Sequence, residues 1–144
     1  MTITAFIHRV KQEIGASLST ELGGDDITDT QIMVLKAVAD HEGASQTRVT
    51  MLTGVDRSTL ADVVRRLVAV NYISRKRSKS DARAYMLSIT ATGTRALAKG
   101  HEALKRAEAE VAKKYPSLRK IAEEAEKKRE ITTRQVPLMR PAAG

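Results

Sequence analysis

The sequence contains no cysteine. Disulfides, thiolate metal sites and thiol-based oxidation sensing are excluded with it. Rings are almost as scarce, since Phe6, Tyr72, Tyr85 and Tyr115 are the complete aromatic set. A core assembled from Ala, Val, Leu and Ile with so few rings points to packed helices. Proline occurs 3 times and glycine 8 times, so connecting loops must be short. No apolar run approaches the roughly 20 residues that a bilayer-crossing helix needs. The N-terminus also lacks a basic stretch followed by an apolar one, so a cytoplasmic protein with no membrane partner is expected. No phosphate-cradling glycine loop and no nucleophile with a base and an orienting acid is present, and neither catalysis nor a cofactor is expected.

What is abundant is positive charge. The 144 residues carry 25 Lys and Arg against 17 Asp and Glu, a formal net charge of +8. Attraction to a polyanion follows, with nucleic acid first and an acidic membrane surface second. The length suits one well-buried domain. His8, His41 and His101 are far apart in sequence. His8 and His101 with Glu13 or Glu102 form the one conceivable metal set, but metal sites need three or four convergent ligands, and none is assigned.

Hydrophobic spacing then orders the chain. Ile3, Phe6, Ile7, Val10, Ile14 and Leu18 form a stripe at steps of three and four, an amphipathic helix that Gly23-Gly24-Asp25-Asp26 breaks. Thr28 and Gln31 read as a capping box opening a helix that buries Ile32, Leu35, Val38 and Ala39. A short helix runs from its N-cap Ser45 to Thr53, with Val49 and Leu52 inward and Gly54 ending it. Asp56 caps the next helix, which buries Leu60, Val63, Val64 and Leu67 and ends at Val70-Asn71. Ile73 to Arg77 and Ala84 to Thr90 read as strands joined by a polar hairpin tip. A long helix follows, with Leu97, Leu104 and Val111 recurring every seven residues. Pro116 opens a last helix with Leu118 and Ile121, and the stretch after Ile131 shows no periodicity and is expected to be flexible.

The expected fold is therefore mainly α with a small β-hairpin, a winged helix-turn-helix flanked by N- and C-terminal dimerisation helices. Its divisions are 1–26 (dimerisation helix), 27–91 (winged helix-turn-helix), 92–130 (dimerisation helices) and 131–144 (tail), within a single domain overall. The second helix of such a motif enters the major groove. Its free face here carries Arg57, Ser58, Thr59, Asp62, Arg65 and Arg66. Arginine can donate twice to guanine, and hydroxyls can meet bases or phosphates. Asp62 can accept from cytosine or simply orient an arginine. The hairpin adds Arg75, Lys76, Arg77, Lys79 and Arg83 against Asp81. From Arg57 to Arg83 eight basic residues face two acidic ones, whereas Met1 to Thr30 holds two basic and five acidic residues. Concentrated charge of this kind supports a directed binding face. Ser45, Gln46 and Thr47 stand where the DNA backbone would be touched.

Leu52-Thr53-Gly54-Val55-Asp56-Arg57-Ser58-Thr59-Leu60, Arg66-Leu67, Asp81-Ala82-Arg83 and Leu87-Ser88-Ile89-Thr90 leading to Gly93 together resemble the multiple-antibiotic-resistance regulator (MarR) family. The wing signature of that family is Asp-x-Arg, then Leu-x-Leu-Thr and a glycine, with Ile89 here replacing the second leucine. Asn71 stands where the family often has glycine. The resemblance covers roughly Ile27 to Val111. It implies a homodimer with interleaved end helices, a palindromic operator in double-stranded DNA, and repression relieved by a small-molecule effector. It also implies that Arg83 is the minor-groove residue of the wing and Asp81 its support. Phe6, Ile7, Val10, Ile14, Leu97, Leu104, Val111, Leu118 and Ile121 are the expected dimerisation residues. A winged-helix protein-interaction module and a weakly specific architectural DNA binder are the competing readings.

Overall fold

Leu60, Val63, Val64 and Leu67 recur at helical spacing and are all buried, which fixes one face of the helix that carries them. The surrounding architecture, a computed structural model, describes residues 1–24, 27–80 and 84–135. Its elements are α1 (Ile3–Leu22), α2 (Asp29–Asp40), β1 (Ala44–Ser45), α3 (Gln46–Thr53), α4 (Arg57–Ala69), β2 (Ile73–Arg77), β3 (Tyr85–Ile89), α5 (Ala91–Lys114) and α6 (Leu118–Gln135). The three strands form one antiparallel sheet in the order β1-β3-β2. The mainly helical fold with its winged hairpin is as the sequence predicts. The extra strand β1 is not: two residues, Ala44 and Ser45, pair with Leu87 and Met86, and so short a run has no alternation to read.

Two compact units are distinguished, Met1–Glu108 and Ala109–Gly144, with the boundary inside α5. In the first unit the main core gathers Val34, Leu35 and Val38 of α2, Val49 of α3, the four apolar residues of α4, Ile73 and Leu87. A second cluster joins Leu18 and Leu22 of α1 to Ile32 and to Ala103 and Ala107 of α5. Gly100 of α5 also lies against Ile32, where an added Cβ would come within 3.0 Å of its side chain. Leu97 packs partly on both clusters and Leu104 partly on the second, so both expected dimer residues also pack within their own protomer. Val34 is fully buried although the stripe read from sequence omits it, and Ala39 is only half-buried.

Caps define the helix ends. Thr28 and Gln31 close both bonds of the capping box at 3.1 Å each. Ser45 Oγ accepts the Arg48 N–H at 3.1 Å, and Gly54 takes the left-handed φ of 74° that ends α3. The exit of α4 is a Schellman motif: Tyr72 N–H donates to Leu67 O and Asn71 N–H to Val68 O, with Asn71 at φ 61°.

That exit is stapled to the wing and to α5. The Thr90 hydroxyl donates to Asn71 O at 2.6 Å, while its backbone N–H donates to Tyr72 O at 3.0 Å. The same hydroxyl accepts the Gly93 N–H at 2.9 Å and so caps the first turn of α5. A Cβ on Gly93 would lie 2.1 Å from Tyr72 O, so only glycine lets the helix sit there. In the second unit Val111 is buried, Leu118 is half-buried and Ile121 is 54% exposed. Helix α6 continues to Gln135, past the Ile131 limit set by apolar periodicity. Strong helix formers and pairs such as Arg129–Glu126 (2.7 Å) sustain a helix without an apolar stripe. Residues 136–144 of the expected tail lie outside the described residues.

Gly93→Ala is expected to lower the unfolding free energy by about 3 kcal/mol through overpacking against a carbonyl. Thr90→Val, which orphans the Gly93 N–H, should cost about 1–3 kcal/mol. Urea denaturation of both variants checks this, and a loss below about 0.5 kcal/mol for Gly93→Ala contradicts the close approach.

Candidate nucleic-acid interface

Burial of one face of α4 leaves the other to solvent. Arg57, Ser58, Thr59, Arg65 and Arg66 are exposed and Asp62 is half-buried. The Asp56 cap organises the first turn: its carboxylate accepts the Thr59 N–H at 3.1 Å and the Ser58 hydroxyl at 2.7 Å. Hydrogen bonds with Thr59 and then Ser58 lower the Asp56 pKa from 3.8 to about 2. Further along the helix, Asp62 pairs with Arg65 and, at 3.1 Å, with Arg66 Nε. Asp62 is thus ion-paired with both neighbouring arginines. The two arginine side chains remain 71% and 69% exposed. Pairs so open to water are weak, and phosphates can compete for them. Arg57 forms no ion pair with a described residue.

Beside α4, the hairpin β2–β3 carries a second cationic set. Its base is apolar, with Ile73 and Leu87 buried, and its outer half is charged. Arg75, Lys76, Arg77 and Lys79 are all exposed. Strand alternation separates them: Arg75 and Arg77 share one face, and Lys76, opposite Met86, lies on the other. The Arg75 and Arg77 guanidinium carbons lie 5.3 and 5.9 Å from the centre of the Tyr85 ring. Asp81, Ala82 and Arg83 lie outside the described residues, and with them the expected wing-tip pair. At the start of α3, Thr47 is exposed, while Ser45 and Gln46 are half-buried.

A cavity of about 490 Å³ opens behind this surface, among the end of α1, the start of α2, the exit of α4 and the start of α5. Leu22, Ile27, Val70 and Ala96 supply an apolar lining, and Arg66, Arg95 and Lys99 bring positive charge to it. Sequence reading placed Arg66 on the DNA face only and named neither Arg95 nor Lys99. Their i, i+4 spacing marks one helix face, but only tertiary packing shows that this face meets Arg66. The basic neighbours of Tyr85 likewise emerge only from the strand register. Among the described residues no group of three His, Asp or Glu could hold a metal ion, and no helix is long and apolar enough to cross a membrane.

Exposed large apolar residues occur along the described chain, Met33, Met51 and Val70 among them, and also on the two end helices. On α1 of the first unit Ile3 and Ile7 are 79% and 61% exposed, whereas Phe6, Val10 and Ile14 are half-buried. The exposed Ile121 belongs to α6 of the second unit.

Residues 25–84 match the model of the MarR family. A protein of Thauera aromatica, described as a transcriptional regulatory protein for the hcr operon, is 36% identical over 73 residues. That match spans 51% of this chain and only 44% of the relative's length. Among solved structures, a crystal structure of MarR superposes with a TM-score of 0.73 at 22% identity, covering 88% of this chain and 99% of that one. A mutant MarR from E. coli complexed with operator DNA gives 0.71 at 21% identity, covering 85% of this chain and 92% of that one. Likeness at this identity establishes the fold. The resemblance to the MarR family read from the sequence is borne out.

Because its pKa is depressed, the Asp56 cap contributes stability that is complete above its unfolded value of 3.8 and is lost as pH falls through about 2. A carboxyl-carbon NMR titration should place the Asp56 midpoint near 2, with the first turn of α4 loosening over that window. A midpoint near 3.8 would show the cap unformed in solution.

Proposed function

We propose, from the premise that residues 25–84 carry the MarR-family pattern, that this chain is a sequence-specific DNA-binding transcription regulator. The observation that carries the reading is the partition of α4, with apolar residues buried on one face and Arg57, Arg65 and Arg66 exposed on the other. A protein surface with no polyanion to meet has no use for so dense a cluster of like charge beside a cationic ribbon.

In this reading the first turn of α4 enters the major groove. Arg57 is exposed there, while Ser58 and Thr59, also exposed, are both hydrogen-bonded to Asp56. Arg65 and Arg66 trade the half-buried Asp62 for phosphate or guanine, an exchange that costs little because both arginine side chains are exposed. Ser45, Gln46 and Thr47 meet the DNA backbone at the start of α3. Arg75, Lys76, Arg77 and Lys79 follow the backbone along the wing, with Asp81 steadying Arg83 in the minor groove. The exposed Ile3 and Ile7 with Phe6, Val10 and Ile14, and separately Leu97, Leu104, Val111, Leu118 and Ile121, are the dimerisation residues. A two-fold dimer would set two α4 helices about 34 Å apart on a palindromic operator. Repression follows if that operator overlaps a promoter.

The cavity supports the further reading of release by a small effector. Its volume falls in the ordinary range for ligand sites. An apolar lining rimmed by Arg66, Arg95 and Lys99 suits a small organic anion with an apolar body.

Purified protein should be a dimer by sedimentation and should bind duplex DNA with an affinity that falls about a thousandfold between about 50 and 200 mM salt. Arg83→Ala should weaken binding by about tenfold. Absence of duplex binding at low salt would end this reading, and equal affinity for operator and random duplex would favour an architectural binder. A carboxylate effector should raise the melting temperature and loosen DNA in the unsubstituted protein, and do neither in Arg95→Ala.

A further inference from the structure

Arg75 and Arg77 stand two residues apart on β2 and project from the same face of the ribbon. Both are exposed, and neither forms an ion pair with a described residue. Two neighbouring guanidinium groups repel, and on a bare strand in water they would splay apart. Here they converge on one ring. Tyr85 pairs directly across from Arg77 and lies diagonal to Arg75, whose own partner is Leu87. Both guanidinium carbons come within 6 Å of the ring centre, at 5.3 and 5.9 Å. The negative π face of tyrosine attracts each cation and offsets their mutual repulsion, and a planar guanidinium stacks on it as an ammonium cannot.

The ring is not needed to fill the core. Tyr85 is 37% exposed and belongs to neither buried cluster. It stands at the outer end of β3, where the hairpin changes from apolar to charged.

We infer that Tyr85 is a positioning residue for DNA binding: its ring holds Arg75 and Arg77 as an ordered pair on the wing before the duplex arrives. Long arginine side chains have much rotamer freedom to lose on binding, and a pair already ordered loses less of it. The inference rests on the DNA-binding reading, and nothing in it requires Tyr85 itself to touch DNA.

The test is a double-mutant cycle on the full chain, with duplex affinity as the readout at one salt concentration. Tyr85→Phe, which keeps the ring, should bind within about twofold of the unsubstituted protein, and Tyr85→Leu should bind about five- to tenfold more weakly. In the Arg75→Ala/Arg77→Ala background, Tyr85→Leu should change affinity by less than about twofold, because nothing remains for the ring to position. The stacking is also visible without DNA. Ring current should shift the Arg75 and Arg77 Nε–H resonances in the free protein, and Tyr85→Leu should abolish the shift. Equal losses from Tyr85→Leu in both backgrounds, a loss in Tyr85→Phe matching that in Tyr85→Leu, or no ring-current shift would each overturn the inference. If the unsubstituted protein binds no duplex at all, the DNA-binding reading fails first and takes this role with it.

Discussion

The arrangement of this protein turns on the contact where Thr90 and Gly93 meet the exit of α4. Three elements arrive there: the C-terminal end of α4 at Asn71 and Tyr72, the base of β3 and the first turn of α5. One hydroxyl donates to a carbonyl of the first and accepts an N–H of the third, and one missing side chain lets α5 lie against Tyr72 O. Hydrogen bonds at both oxygen functions and a van der Waals limit at Gly93 leave little freedom of angle or translation. The orientation of α4 relative to the hairpin is therefore constrained at its C-terminus as well as by the core it shares with Ile73 and Leu87, away from the cationic face that it presents.

The staple holds in place elements that carry a charge-dense surface. Exposed arginines on α4 and β2 repel one another and oppose compaction. Two groups temper that repulsion locally without neutralising the surface: Asp62, paired with Arg65 and Arg66, and the Tyr85 ring, near both Arg75 and Arg77. Neither interaction is buried, so each can yield to a stronger anion at small cost. Arg66 belongs to two places at once, paired with Asp62 on α4 and lining the cavity with Arg95 and Lys99. An anion in that cavity and a phosphate on the outer face would draw on the same side chain.

Much of this was legible in the residues. Thr28 and Gln31, Ser45, Asp56 and Asn71 each mark a helix end by chemistry that acts within a few residues, and all of them sit where the spacing puts them. The buried face of α4 followed from a period of 3.6, and its exposed cations followed by exclusion. Strand β1 escaped because two residues have no period. The long α6 escaped because charged helix formers carry no apolar stripe, so its run beyond the last isoleucine had no periodic signal. Gly93 was noticed as part of a motif, but its purpose, clearance from Tyr72 O, is a fact about two residues far apart in the chain.

By itself the sequence determined the order of helices and strands, the caps, the concentration of positive charge between Arg57 and Arg83 and the family pattern that those residues follow. These depend on neighbours within a turn or a strand, where periodicity and hydrogen-bonding chemistry suffice. Tertiary structure alone decided which distant groups meet: Arg66 with Arg95 and Lys99 around one cavity, Tyr85 with Arg75 and Arg77 on one ribbon face, Thr90 with Asn71. Such meetings depend on strand register and helix packing angles, which arise from the whole core at once and leave no periodic trace in the chain.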